Sequence, residues 1–515
     1  MTAVTQNTLR KKKLSSSTKM FVVAVIALLY CPFFNVMFMG EGYVGDTLIQ
    51  IRIGLDMIKT HGFILNDIYS WHEGLNWASH EVGWYFISGA AYKLFGIAGV
   101  IGLSAICNYT MAGIIFKKNL DTVNSYILVL TACIARYFSF PNYNARPHLV
   151  SQLIFVVFVY IMLEDKISAF KKCIAFSVSA FLMAWFHGGM IPLFFVVFGV
   201  FIGIEVLYKQ YKTAGKYLLG LLAGGVASIL NPIGIGVWTY AFLQSKGSDV
   251  WKYNIEWQPK TFSIPEITIL LLILVGFAVD KRVQNFDKKV ITKLAFYCMF
   301  IIISCKYCRF MNFTALIILM FCGEELQILL EWLNSNLTKI DVKKLSLGDI
   351  SHYILTVFCV GFMLFVTVFS WITYFPTNTV SDISAIAAYD EGVIDVVRER
   401  GYSRIYNSFN TGTWLAYYEI PVHIDNRTDL YLAEFSGVDY ITGKMLIGNI
   451  DEMNGFVAEY HPDALVLDLI PGTTDEYFAD DLYASEHYEI IYDNIVTSSY
   501  DPGVSYRWLV VECVY

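Results

Sequence analysis

Stretches of about 20 consecutive apolar residues constrain this chain more than any other feature, because hydrocarbon offers a backbone no hydrogen-bond partners. A helix satisfies its own backbone and crosses a hydrocarbon core of ~30 Å in that many residues. Met20–Met39, Gly96–Phe116, His148–Leu163, Met190–Tyr208 and Ser351–Ile372 meet the requirement. Shorter or interrupted apolar runs at 123–138, 173–187, 217–236, 264–280, 290–305 and 311–323 bring the total to eleven predicted spans. With 56% of residues hydrophobic and 16% charged, a soluble chain of this length could not clothe its surface, so lipid must cover much of it. Basic residues precede Met20–Met39, as in a secretory signal. Cys31-Pro32 interrupts that run and no small-x-small cleavage site follows, so it reads as a retained first helix.

Charge predicts the orientation. With the N-terminus in the cytoplasm, the inner loops are 1–19, 117–122, 164–172, 209–216, 281–293 and 324–350, which carry 21 of the 37 Lys and Arg residues. Counting spans then puts residues 374–515 outside the cytoplasm, with residues 1–373 forming the transmembrane domain of a protein in the plasma membrane. That tail has 24 Asp and Glu against 6 Lys and Arg, a balance of −18, whereas the remainder is +11. So acidic a surface repels phosphate backbones, which argues against a nucleic-acid partner. The tail holds one cysteine, Cys513, and therefore no internal disulfide. Its patterning predicts a small α/β domain, with helices at Asp382–Arg400 and Thr413–Tyr418. Strands are expected at Arg404–Phe409, Val422–Asp425, Ala464–Asp468, Glu489–Tyr492 and Tyr506–Val511.

Between the first two spans lies a long outer loop, 40–83. Asp46–His61 within it reads as a helix too charged to span, with Leu48, Ile51, Leu55 and Ile58 on one face, suited to lying along the membrane; Val82–Phe95 has the same character. The topology brings a set of polar residues, far apart in sequence, to the outer face: Asp46, Arg52, Asp67, His80, Glu81, Arg146, His148, His187, Lys306 and Arg309. Ionisable groups beside hydrocarbon are costly unless they pair or serve a ligand. Carboxylates with several cations suit an anionic lipid head group and a hydroxyl that must lose its proton.

The order of these residues resembles the GT-C superfamily of membrane glycosyltransferases, which includes the protein O-mannosyltransferases and the lipid A aminoarabinose transferases. Asp46, then Arg52-x-Gly54, Gly62, Asp67-x-Tyr69-Ser70 and His80-Glu81-Val82-Gly83-Trp84-Tyr85, resemble that family's first outer loop. Weaker similarity continues through Ala145-Arg146-Pro147-His148, Trp185-Phe186-His187-Gly188-Gly189, Asn231-Pro232-Ile233-Gly234 and Glu256-Trp257. In the tail, Asn410-Thr411-Gly412-Thr413-Trp414-Leu415 faintly resembles the tryptophan-aspartate motif of oligosaccharyltransferases. Asn410 or Thr411 stands where its aspartate would be, so acceptor recognition by that motif does not carry over.

The resemblance implies a GT-C-like α-helical polytopic fold with an extracytoplasmic α/β domain. It implies an inverting transferase that moves a sugar from a polyprenyl-phosphate donor to a glycan, lipid or protein acceptor at the outer face. Asp46 matches the family's catalytic base and Glu81 its second acidic position. Arg52, His80, Arg146, His148, His187 and Arg309 are the candidate substrate-binding residues, of which Arg146, His148, His187 and Arg309 are candidates for neutralising the lipid phosphate. Oligosaccharyltransferases need a divalent ion, which His80, Glu81 and Asp46 could ligate, but no ligand spacing here compels one.

Plainer readings stand beside these. Asp46 could cap a helix, His80 and Glu81 could pair with Arg52, Arg146 and Arg309 could be interfacial anchors, and His187 could end a span. Asp425, Arg427 and Asp429 read best as an internal ion-pair turn, and Trp84, Tyr85 and Trp257 as candidate sugar platforms. A flippase or transporter of lipid-linked glycans, or a membrane-anchored binding protein, are the alternative functions. The absence of a visible internal repeat weighs against a transporter built on inverted halves.

Overall fold

The computed structural model describes residues 45–75, 77–120, 122–139, 145–245, 255–336, 384, 387–441, 444, 447–499 and 503–515. The expected spans Met20–Met39 and Ser351–Ile372 lie outside these residues.

Apolar periodicity and polar caps account for the helices. They are α1 Gly45–Thr60, α2 Val82–Asn119, α3 Ser125–Phe138, α4 His148–Leu163, α5 Ala169–Phe186, α6 Ile191–Leu207, α7 Tyr211–Ser228, α8 Gly236–Ser245, α9 Ile264–Val279, α10 Lys288–Lys306 and α11 Met311–Asn336. Ser168, Ser263 and Asp287 cap the starts of α5, α9 and α10, each side chain accepting from a first-turn amide, with a full capping box between Ser263 and Glu266. Among the described residues four segments, Val82–Asn119, Ala169–Phe186, Gly188–Leu207 and Cys308–Leu333, have the length and hydropathy to cross a bilayer, and shorter apolar helices accompany them. The bundle interior is aromatic: Phe176 stacks on Phe194 and Phe198, with Phe158 against both. The outside is apolar too. Leu218, Leu219, Leu222 and Val226 of α7 and Leu271, Leu272, Leu274 and Val275 of α9 are exposed, a surface that suits lipid rather than water.

The expected surface segment Val82–Phe95 and span Gly96–Phe116 run together as α2, broken at Gly96, whose φ of 63° is open to glycine at little cost. Helix α1 departs from expectation. Instead of laying one apolar face on a membrane it buries Leu48, Ile49, Ile51, Ile53 and Met57 in protein. It meets α2 backbone to backbone, because a Cβ on Gly54 would fall 2.0 Å from the Tyr85 carbonyl oxygen and one on Gly89 would fall 2.4 Å from the Gly54 carbonyl carbon.

The C-terminal region forms a four-stranded sheet of β1 Ile405–Asn407, β2 Ala464–Leu469, β3 Tyr488–Thr497 and β4 Ser505–Cys513, in the order β1-β2-β4-β3. β1 runs parallel to β2, and β2 and β3 are antiparallel to β4. Helices α12 Glu391–Arg400, α13 Phe409–Tyr417, α14 Ile450–Tyr460 and α15 Asp475–Ala484 accompany it. The strand expected at Val422–Asp425 is not one: Val422 makes only single bridges, to Ser70 and Ile405. Its neighbours are side chains and loop amides, as where Asn407 Nδ2 donates to the Ile424 carbonyl at 2.8 Å.

One hydrophobic core joins this region to the outer loop, with Leu48, Ile51, Trp77 and Trp84 in the same cluster as Val393, Trp414, Ile424 and Leu430. A buried ion cluster spans the same boundary. Arg427 reaches Asp425 at 2.6 Å and Asp67 at 2.7 Å, and the Tyr431 hydroxyl donates to Asp425 at 2.9 Å. Removing one member of such a cluster costs about 3–5 kcal/mol, since the remaining charge is left buried and unpaired.

Candidate active site

Asp46 lies in the first turn of α1 and Glu81 immediately precedes α2, so both carboxylates stand at helix N-termini, where the unpaired amides favour negative charge. The close crossing of α1 and α2 brings these ends together at the wall of a cavity of about 380 Å³. Arg146 and His148 enter it from the start of α4, His187 from the end of α5, and Tyr240 from α8. Glu256 and Trp257 come from a 3-10 turn before α9, and Arg309 from another before α11. The Cys308 amide donates to the Gln258 carbonyl at 2.8 Å, which ties these two turns, and the Gly188 amide donates to the His80 carbonyl at 2.9 Å.

The groups form two linked sets. Arg146 bridges two acids, Nη2 to Asp46 Oδ2 at 3.1 Å and Nη1 to Glu256 Oε1 at 3.1 Å. Glu81 gathers the other set. Gln50 Nε2 donates to it at 3.3 Å, and the His80 and His187 Nε2 atoms lie 3.5 and 3.9 Å from its Oε1. The Trp84 indole holds Gln50 through its Oε1 at 2.7 Å, and Ser151 holds His187 Nδ1 at 2.6 Å. His80 stacks on Tyr240 with ring centroids 3.7 Å apart, and Arg309 lies 4.3 Å above the Trp257 ring. Among the described residues Arg309 makes no ion pair.

Burial raises the Asp46 pKa, with the charges of Glu256 and Glu81 adding, while Arg146 and a hydrogen bond from Asn426 pull it down. Burial opposes a charged His80, but the hydrogen bond and charge of Glu81 outweigh it and raise its pKa. For His187 burial wins, and Arg309, His80 and His148 add to it, so that its pKa lies well below the ordinary value and the ring is neutral. Burial likewise raises the Asp429 carboxyl, against the pull of His80.

Seven of the eight residues expected at the site line this cavity: Asp46, His80, Glu81, Arg146, His148, His187 and Arg309. Arg52 does not. It points away from the cavity to Asp56 on its own helix and to Glu419 at 2.7 Å, because its place along α1 puts it on another face from Asp46. Trp84 is a buried brace rather than a platform, whereas Tyr85 and Trp257 do line the cavity. The ion-pair turn divides: Asp425 and Arg427 pair in the cluster, and Asp429 faces the cavity along with Asn426 and Thr428. Sequence reasoning missed Gln50 and Tyr240, placed Asp429 in an ion-pair turn and gave Asn426 no role of its own. Only Gln50 carried a signal, since it lies four residues after Asp46 on the same helix face.

Among the described residues no three His, Cys, Asp or Glu groups converge as metal ligands. The space between Asp46 and Glu256 is taken by a guanidinium, so these residues do not fit a divalent ion bridging those two acids.

The fold that carries this site, an apolar helical bundle with a small sheet domain, is similar to that of solved oligosaccharyltransferase and ArnT structures. The apo oligosaccharyltransferase of Archaeoglobus fulgidus is similar over 96% of this chain and 74% of its own, at TM-score 0.54 and 11% identity. ArnT from Cupriavidus metallidurans is similar over 96% of this chain and 97% of its own, at TM-score 0.51 and 11% identity. The archaeal enzyme AglB, in complex with an inhibitory peptide and a dolichol-phosphate, is similar over 95% of this chain and 74% of its own, at TM-score 0.55 and 10% identity. No protein-family model and no curated protein matches the sequence.

Proposed function

We propose that the chain is an integral membrane glycosyltransferase that moves a sugar from a polyprenyl-phosphate donor to a hydroxyl of a glycan, lipid or protein acceptor at the outer face. The observation that carries this reading is one cavity lined by Asp46 and Glu81 together with Arg309 and His148. Residues 1–373 would be the transmembrane domain, with about eleven spans and a cytoplasmic N-terminus, and residues 374–515 the extracytoplasmic domain. The dolichol-phosphate bound by the archaeal AglB supports a lipid-phosphate donor.

In this mechanism Asp46 accepts the proton of the acceptor hydroxyl as its oxygen bonds to the anomeric carbon. The bond from that carbon to the phosphate oxygen breaks in the same displacement, inverting the centre, and the phosphate leaves with the electron pair. Arg309, which has no competing carboxylate among the described residues, meets the charge developing on the phosphate. Glu81, held by Gln50 and flanked by His80, accepts hydrogen bonds from sugar hydroxyls.

Replacing Asp46 by Asn keeps the side chain's shape and removes the base. Transfer from a radiolabelled polyprenyl-phosphate sugar in vesicles should fall by about 10²–10⁴-fold, with the variant still membrane-inserted and monodisperse. Undiminished transfer would remove Asp46 from the chemistry.

A further inference from the structure

We propose that Arg146 is a built-in cation, its guanidinium holding the place between Asp46 and Glu256 that a divalent ion would otherwise bridge. The native site then has no resident metal there, and removing the arginine creates a metal site. This rests on the transferase reading only for its consequence in catalysis; the cation claim itself concerns the two carboxylates.

Three observations carry it. The two terminal nitrogens of Arg146 each meet a different acid at 3.1 Å, so one planar fork spans carboxylates brought in by separate elements. The fork is anchored from behind: the amide of Leu149 donates to the Arg146 carbonyl at 3.2 Å, Pro147 restricts the backbone before α4, and Ala145 is fully buried. Arg146 Nε is buried without a partner, so the side chain gives up one donor to keep its two terminal nitrogens on the acids.

The chemistry of the exchange is direct. Two carboxylates held on either side of one guanidinium need a positive charge between them or must take up a proton. Arginine supplies that charge at every working pH and at a fixed position. A divalent ion needs carboxylate oxygens within ~2.0–2.6 Å of its centre, which the guanidinium prevents. With the arginine cut back to alanine, Asp46 and Glu256 must take up either a proton or another cation, and the vacated volume opens to water and ions.

The experiment needs no substrate. The full-length protein in detergent, stripped with chelator, is titrated with Mn²⁺ and the free ion followed by electron paramagnetic resonance. The wild type should take up no Mn²⁺ that depends on Asp46. Arg146→Ala should bind one Mn²⁺, and the double variant Arg146→Ala/Asp46→Asn should bind it about tenfold or more weakly. Wild-type uptake of one Mn²⁺ that Asp46→Asn abolishes would overturn the proposal, as would a folded Arg146→Ala protein that binds none. If Arg146→Ala fails to fold, Arg146→Gln takes its place with the same expectation. A protein that lacked transferase activity would still show this pattern, so the two claims fail separately.

Discussion

Asp46 is poised by its neighbours rather than by its own helix position alone. Burial and two nearby acids push its proton affinity up, while Arg146 and Asn426 hold it down. A base must be ionised to act, so activity should climb with pH through a limb lying above the ordinary aspartate range. Asn426 tests this from the C-terminal region, because its Nδ2 donates to Asp46 while its Oδ1 is buried without a partner. Asn426→Asp replaces a donor with a like charge, and the acid limb of the pH–rate profile should move to higher pH; an unmoved limb would show that Asn426 does not act on Asp46. His80 has the opposite sign. Its raised pKa means that its pairing with Glu81 stabilises the fold fully at acid pH, and that contribution is lost as pH rises through the folded value. At this scale the sequence was informative where topology gathered charged residues. It read Asp429 as part of an ion-pair turn and gave Asn426 no role, because their approach depends on how the tail folds back over the bundle.

Helices were the most legible elements, because a 3.6-residue apolar period over a long run leaves few alternatives. His148–Leu163 has the predicted bounds, and 264–280 and 290–305 correspond to α9 and α10 within two residues. The tail's central strand is equally clear at Ala464–Leu469. What escaped was α1, whose Leu48 and Ile51 face protein instead of lipid: its charge pattern is that of a surface helix, and the packing of α2 and of the tail against it makes it a core element. The α1–α2 crossing depends on Gly54 and Gly89 having no side chains. Gly54→Ala should therefore force the helices apart, costing about 1–3 kcal/mol or more and weakening transfer by separating Asp46 from Glu81. A thermal melt and activity unchanged from wild type would show that the contact is not needed.

At the scale of the molecule, sequence suggested a bundle and a separate domain, and the structure joins them through a common core and the Asp67–Arg427–Asp425 cluster. The tail's own composition could not reveal this, since Trp414, Ile424 and Leu430 are as suitable for a private core as for a shared one. Expressed alone, residues 374–515 should lack the sharp near-ultraviolet circular dichroism of a packed domain. A cooperative, rigid fold of that fragment would contradict the shared core.

We propose that distant loops build one pocket for an anionic lipid. Native mass spectrometry of the protein, after incubation with a polyprenyl phosphate and gentle removal of detergent, tests it directly. The account predicts one bound lipid on the wild type and a loss of about tenfold or more in affinity in Arg309→Ala, where a charge-assisted contact is removed. Equal binding by the two proteins, or no bound polyprenyl phosphate on either, would contradict it.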